Sequence, residues 1–229
     1  MTLRDNLTIR PDGPAADSRD MVAVHDMFRR QFQALPDLLA SAPPDRPDDV
    51  RVVTAHAQFL TTLLHAHHDG EDAIAWPRIE ARGGDEPRAL AETMTLQHEQ
   101  IDAALTHLTT AVADLAAHPS RAGAIVAADA ARSALEIVQE HLALEEARVL
   151  VLIDRYLTQE EWAAVGGHGL ENLDESMFPV MFGMLLEDMS PQMYEIFSAA
   201  IPEPVIGPMT AAGPPAYAQY LSQLQAAIA

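Results

Sequence analysis

An apolar stripe at i, i+3/i+4 and i+7 spacing runs through Met21, Val22, His25, Phe28, Phe32 and Leu35, and predicts an amphipathic helix that starts at Ser18 and stops at Pro43-Pro44. A second stripe, Val52, Phe59, Leu60, Leu63, His67, Glu71 and Ile74, predicts a helix opened by Asp45 with Pro47 in its first turn and closed by Gly83-Gly84. Pro77 falls inside it, so a kink or break is expected one turn after Glu71. The third stripe, Ala91, Met94, His98, Ile101, Leu105 and Val112, lies between Asp85-Glu86-Pro87 and His118-Pro119. The fourth starts at Ser120 and reads Ile125, Ala134, Ile137, Val138, His141, Leu144, Glu145, Val149, Leu152 and Ile153. Four such helices on short loops predict an all-α, up-down-up-down four-helix bundle.

The flanks read differently. Residues 1–17 have no periodicity and are expected to form a flexible arm, which leaves residues 18–165 for the bundle. Thr158-Gln159-Glu160-Glu161 is a capping box that opens a short fifth helix ended by Gly166-Gly167. Residues 166–229 form a Met- and Pro-rich helical C-terminal extension, with a helix start at Ser190-Pro191, a proline-rich loop and a last amphipathic helix from Ala216. Five of the ten methionines lie between Met177 and Met193, which suits a layer packed on the bundle, a lid over one end of it, or the surface of a homodimer.

Polar residues inside the stripes carry the chemistry. His67 and Glu71, and again His141 and Glu145, sit four residues apart on one helical face, where an imidazole and a carboxylate can reach one ion together. Glu71 and Glu145 lie among leucine and isoleucine, and an ionised carboxylate is rarely buried unless paired or metal-bound. No lysine occurs in the bundle to pair them. A lone histidine on an apolar face is more often a satisfied core residue than a ligand, but His25 and His98 fall at the middle of the two remaining helices. The expected ligand set is therefore His25, His67, Glu71, His98, His141 and Glu145, with helices one and two supplying imidazoles to one ion, helices three and four to the other, and both glutamates bridging. His67 with Glu71 is preferred to His68 with Asp72, whose stripe includes Thr61 and Ala75. Asp102, four residues beyond His98, is a further candidate ligand or an acceptor behind one. His65 and His107 point away, His56 is expected near a bundle end or on the surface, and Glu146 is displaced by about 100° from the inward face.

Composition narrows the metal and the partners. The absence of cysteine excludes thiolate sites, disulfides and thiol nucleophiles, and a His/carboxylate set suits iron, manganese or zinc. Thirty-four acidic against fourteen basic residues give a net charge of −20, which argues against nucleic acid and anionic membrane surfaces as partners. The longest apolar run, Met177 to Leu186, is too short to span a bilayer, and the polar N-terminus has no signal-peptide core, so a cytoplasmic location is the default.

The order lone His, His-x-x-x-Glu, a third His element and His-x-x-x-Glu resembles the hemerythrin-like (HHE cation-binding) family over roughly residues 18–165. Local wording agrees at Val24-His25-Asp26, at His67 through Asp72 leading to Trp76-Pro77, at Gln97-His98-Glu99 and at His141 through Glu146. The resemblance implies a non-haem centre of two iron ions bridged by carboxylates and an oxo or hydroxo group, with O2, nitric oxide or hydrogen peroxide as exogenous ligand. Oxygen-carrying members have His-x-x-x-His on the third helix, whereas here Asp102 stands four residues after His98. One imidazole fewer would leave an open position and favour reaction with a small oxidant, in oxidative or nitrosative stress defence, over carriage or sensing of O2, NO or iron.

Overall fold

The computed structural model describes residues 11–171 and 173–229. Helix α1 (Met21–Ala40) follows a 3-10 turn capped by the Asp17 side chain. Helix α2 (Pro47–Gly70) does not break at Pro77. It continues through one π-helical turn (Glu71–Ala75) into a last piece, Trp76–Arg82. Helix α3 (Asp85–Ala117) is uninterrupted, and α4 (Arg121–Leu144) again passes through a π turn (Glu145–Val149) into Leu150–Tyr156. Ser120 caps α4 by accepting from the Gly123 N–H, as its sequence position suggests. Each of the four helices packs on two others, α1 and α3 both lying against α2 and α4, so the helices close a ring around a shared core. The apolar stripes fill that core with Phe28, Phe32, Leu35, Leu60, Leu64, Ile101 and Leu105, each about 1.5–3 kcal/mol of burial. Val52 and Ile125, which the periodicity also places inward, are exposed.

The N-terminal expectation falls partly outside the described residues, since residues 1–10 are not among them. Residues 14–16 are not a free arm: Ala16 donates to the Leu157 carbonyl, Gln159 donates to that of Pro14, and Ala15 bridges Thr158. The capping box is present, Thr158 and Glu161 each satisfying the other's backbone N–H, and opens α5 (Gln159–Leu170). This helix runs past Gly166-Gly167 because it lies on α2, so closely that a Cβ on Gly169 would meet the Ala66 carbonyl oxygen at 2.4 Å. Glu161 also receives Arg82 at 2.6 Å and Arg78 at 3.0 Å, which ties the end of α2 to the start of α5.

Beyond it come α6 (Phe178–Leu186), α7 (Pro191–Ala200) and α8 (Glu203–Ile228). The expected proline-rich loop is instead the first half of α8. Pro204 occupies the first turn, where no N–H is needed, and Pro208, Pro214 and Pro215 lie on the exposed side, where water can reach the carbonyls they leave unpaired. Helices α6 and α8 cross at Gly183 and Gly213, too close for a side chain at either. Met184 is buried, and Met181, Met189 and Met193 pack against the same core, so the methionine-rich stretch forms a layer over the ring. That layer corrects the reading of His56: it is buried at 4% exposure, its Nδ1 3.1 Å from the Tyr220 hydroxyl of α8. No helix among the described residues is long and apolar enough to cross a membrane.

Candidate metal centre

Both π turns begin at the glutamates that the spacing singled out. The Trp76 N–H reaches back to the Glu71 carbonyl and the Leu150 N–H to that of Glu145, one residue further than in an α-helix. Single π turns of this kind are uncommon and concentrate at functional sites. At the first, Pro77 supplies a cause: in a regular α-helix its ring would press on the Ala73 carbonyl, and the widened turn relieves this. The Arg78 guanidinium donates to the Ile74 carbonyl there at 2.8 Å. Nothing in residues Glu145–Val149 gives the second turn a comparable local cause.

Two sets of side chains converge inside the ring. His68, Glu71, His98 and His141 form one; His25, His67, Glu71 and Glu145 form the other, the ligand atoms within each lying within 4.8 Å of one another. His68 stacks on His98 with centroids 4.0 Å apart, and both lie against His141, at 5.1 and 4.8 Å. His25 and His67 meet edge to face at 5.5 Å. The glutamates lie between the sets. Glu71 has Oε1 3.4 Å from His67 Nε2 and Oε2 3.5 Å from His98 Nε2, and Glu145 Oε2 is 3.4 Å from His25 Nε2 and 3.5 Å from His141 Nε2.

These atoms are neighbours without being bonded. The Nε2 atoms of all five histidines and both oxygens of both glutamates are buried and have no hydrogen-bond partner among the described residues. Ligand atoms about 2.1 Å from one ion, at angles between square and tetrahedral, stand roughly 3.0–3.4 Å apart, close to the spacings found. Orphaned buried polar atoms are rare in native proteins, and a cluster of them aimed at common points fits cations held by these residues.

Three of the outer nitrogens are fixed, while His68 Nδ1 is buried with no partner among the described residues. Asp72 Oδ1 accepts from His98 Nδ1 at 2.9 Å, Glu146 Oε1 from His25 Nδ1 at 2.9 Å, and Gln97 Oε1 from His141 Nδ1 at 3.1 Å. A carboxylate acceptor requires the proton on Nδ1, which leaves the Nε2 lone pair facing the centre. The two acidic pairs therefore work alike: Glu71 and Glu145 face inward, while Asp72 and Glu146 each anchor an imidazole of a neighbouring helix. Arg29 holds Glu146 in place at 2.8 Å. Burial raises the Glu146 carboxyl, but the bonds from His25 and Arg29 outweigh it and the group sits below its usual range.

Without a cation the cluster is electrostatically uncomfortable. Burial, then the neighbouring Glu145 charge, holds Glu71 well above the usual carboxylate range, and burial raises Glu145 as well. Burial and the crowd of imidazoles hold His67 and His68 well below their ordinary value and lower His141 to about 3. Each shift favours the neutral form, and a cation would reverse the carboxylate shifts.

The residues that supply this arrangement fall within one matched segment: the family model described as the hemerythrin HHE cation binding domain covers residues 17–153. The chain belongs to the hemerythrin HHE cation-binding family. No curated protein and no solved structure matches it. The hemerythrin domain ends at the last piece of α4, so α5 to α8 lie outside the match.

Two sequence expectations change at this centre. His68 is not a second choice to His67; both converge, one on each set, and the sequence clue was the His-His pair with acidic residues at i+4 from each member. Asp102 does not converge. The buried line of α3 runs through His98, Ile101, Leu105 and Leu108, and Asp102, on its flank, is exposed and pairs with His65 Nδ1 at 2.9 Å. Of the five converging imidazoles, two thus stand on α2.

Proposed function

We propose that this hemerythrin domain holds two iron ions, bridged by Glu71 and Glu145, and that the pair reacts with hydrogen peroxide, nitric oxide or O2 in oxidative or nitrosative stress defence. The observation that supports it most is the convergence of unpartnered Nε2 and carboxylate atoms on two points. In this reading the ring is an up-down-up-down bundle whose four helices each give ligands to the pair. When bound, the irons with an oxo or hydroxo bridge would supply the redox exchange with the oxidant.

The chain sets the asymmetry. His68, His98 and His141 give one ion three imidazoles, whereas His25 and His67 give the other two, so the second ion has more positions left for an exogenous molecule. His67 lines an apolar cavity, while the other set is buried, with the Trp76 ring 6.1 Å from that of His98. Entry from the cavity side follows. Asp72, Glu146 and Gln97 keep the imidazoles turned inward while the apolar walls exclude bulk water, so small uncharged molecules are admitted.

The second reading, an O2, NO or iron sensor or carrier without turnover, gains weight from one observation: five converging imidazoles leave fewer open positions than the four expected from the stripes. Metal analysis of protein produced with ample iron is expected to give two irons per chain, and peroxide or nitric oxide turnover by the ferric protein separates the readings. A stable, reversible oxygenated complex without turnover would establish the second; one ion or none would sink both.

A further inference from the structure

A cavity of about 490 Å³ lies between the hemerythrin domain and the layer made by α5 to α7, within the range of about 300–1,000 Å³ typical of small-molecule sites. Phe28, Leu63 and His67 form its inner wall, and Trp162, Phe182 and Phe197 belong to the opposite one. The bundle alone would leave these apolar residues against water; the C-terminal layer roofs them without filling the space between.

We infer that this cavity is a binding site for a neutral, largely apolar small molecule, held with one end beside His67 and hence beside the more open of the two candidate ion positions. Three features select that class. The walls are almost entirely aliphatic and aromatic. Among the described residues no arginine lines the cavity, and the chain has no lysine, so a carboxylate or phosphate finds no countercharge there. Asp20, the one acid at the wall among the described residues, is already engaged by the Trp162 indole N–H at 3.0 Å and would repel an anion further. The volume exceeds what O2, nitric oxide or peroxide needs, so the cavity is larger than a passage for the proposed oxidant.

Gly166 gives the test. It lines the cavity, is helical, and a Cβ built there meets nothing within 4 Å, so Gly166→Phe places a ring in open space without backbone conflict. Ala200→Phe, on α7 at the same cavity, is an independent second block. The probe is the neutral fluorophore N-phenyl-1-naphthylamine, titrated into the iron-loaded full chain, with the anionic 8-anilinonaphthalene-1-sulfonate as counterpart.

Saturable binding of the neutral probe is expected, at least tenfold tighter than the anionic one and weakened at least tenfold in either variant, with iron content and helicity unchanged. Binding should also slow azide entry to the iron. Failure of the neutral probe to bind, equal binding in both variants, or preference for the anion would overturn the inference. So would affinity that falls as protein concentration rises, since a second copy would then be the occupant. Iron content is measured separately, so failure of the metal reading and failure of the cavity reading are distinguishable.

Discussion

Replacing Glu71 by leucine should have opposite effects on the empty and the loaded protein. Glu71 is fully buried, both its oxygens lack a hydrogen bond, and burial together with the Glu145 charge holds its carboxyl well above its usual range. An unsatisfied buried polar group costs about 1–3 kcal/mol, and leucine has nearly the same volume with nothing to satisfy. Chelator-treated Glu71→Leu protein should therefore be more stable than chelator-treated wild type by about 1–3 kcal/mol, a rise in Tm of roughly 2–12 °C for a chain of this size. With iron the order should reverse, because a cation at a thousand times its Kd stabilises the wild type by about 4 kcal/mol and the variant has lost the residue common to both sets. Glu71→Gln separates shape from polarity: it keeps the volume and the unmet polar atoms, so it should lose iron without the gain in the empty state. Thermal melts followed by circular dichroism, with and without chelator, read all of these. A Glu71→Leu protein that melts below wild type when both are metal-free would refute the reasoning, since the carboxylate would then be satisfied without a cation.

The remaining expectations concern the surroundings of the centre. His68→Ala should lose iron as severely as His98→Ala, whereas Asp102→Ala should keep wild-type iron content; an iron-replete His68→Ala would remove the fifth imidazole from the set. Gln97→Leu and Glu146→Gln, which free His141 Nδ1 and His25 Nδ1, should each weaken iron affinity about 10- to 100-fold in a competition titration while the fold persists. Glu161, held down to about 2 chiefly by the Arg82 guanidinium against an ordinary 4.5, adds stability that is fully present above pH 4.5 and lost as pH falls towards 2. Denaturant titrations across that window should show a shallower acid loss in Glu161→Gln, and an unchanged slope would mean the bond to Arg82 contributes nothing.

The bundle helices were legible because each is wet on one side and presents a stripe of period 3.6 to its neighbours. His25, His67, His98, His141, Glu71 and Glu145 were legible for the same reason. His68 and His56 were not: His68 turns into the ring beside His98 and His141 on a line less apolar than that of its neighbour His67, whereas His56 is buried from outside the ring, against Tyr220 of α8. Helix α2 touches α1 and α3 in the ring and also α5 and α8 of the C-terminal layer, so it is buried on more than one face. A rule that assigns one inward face per helix must leave such residues outside. The layer's position was unreadable because nothing in residues 166–229 specifies which bundle surface it covers. The first half of its last helix was read as a loop because prolines usually punctuate helices, and here they sit where solvent tolerates them.

His67 and His68 are consecutive residues, yet each turns to a different set. Consecutive Cα atoms are held 3.8 Å apart by the peptide bond, and these two rings stand 5.3 Å apart between centroids. The interval between the two candidate ion positions is thus gauged by a covalent ruler lying in one helix. If α1, α3 or α4 slides during the breathing of the bundle, each can loosen its own imidazole, but α2 carries its two as a fixed calliper. Any motion that opens the centre must then leave one imidazole of each set in register, so that closing the bundle restores the same spacing.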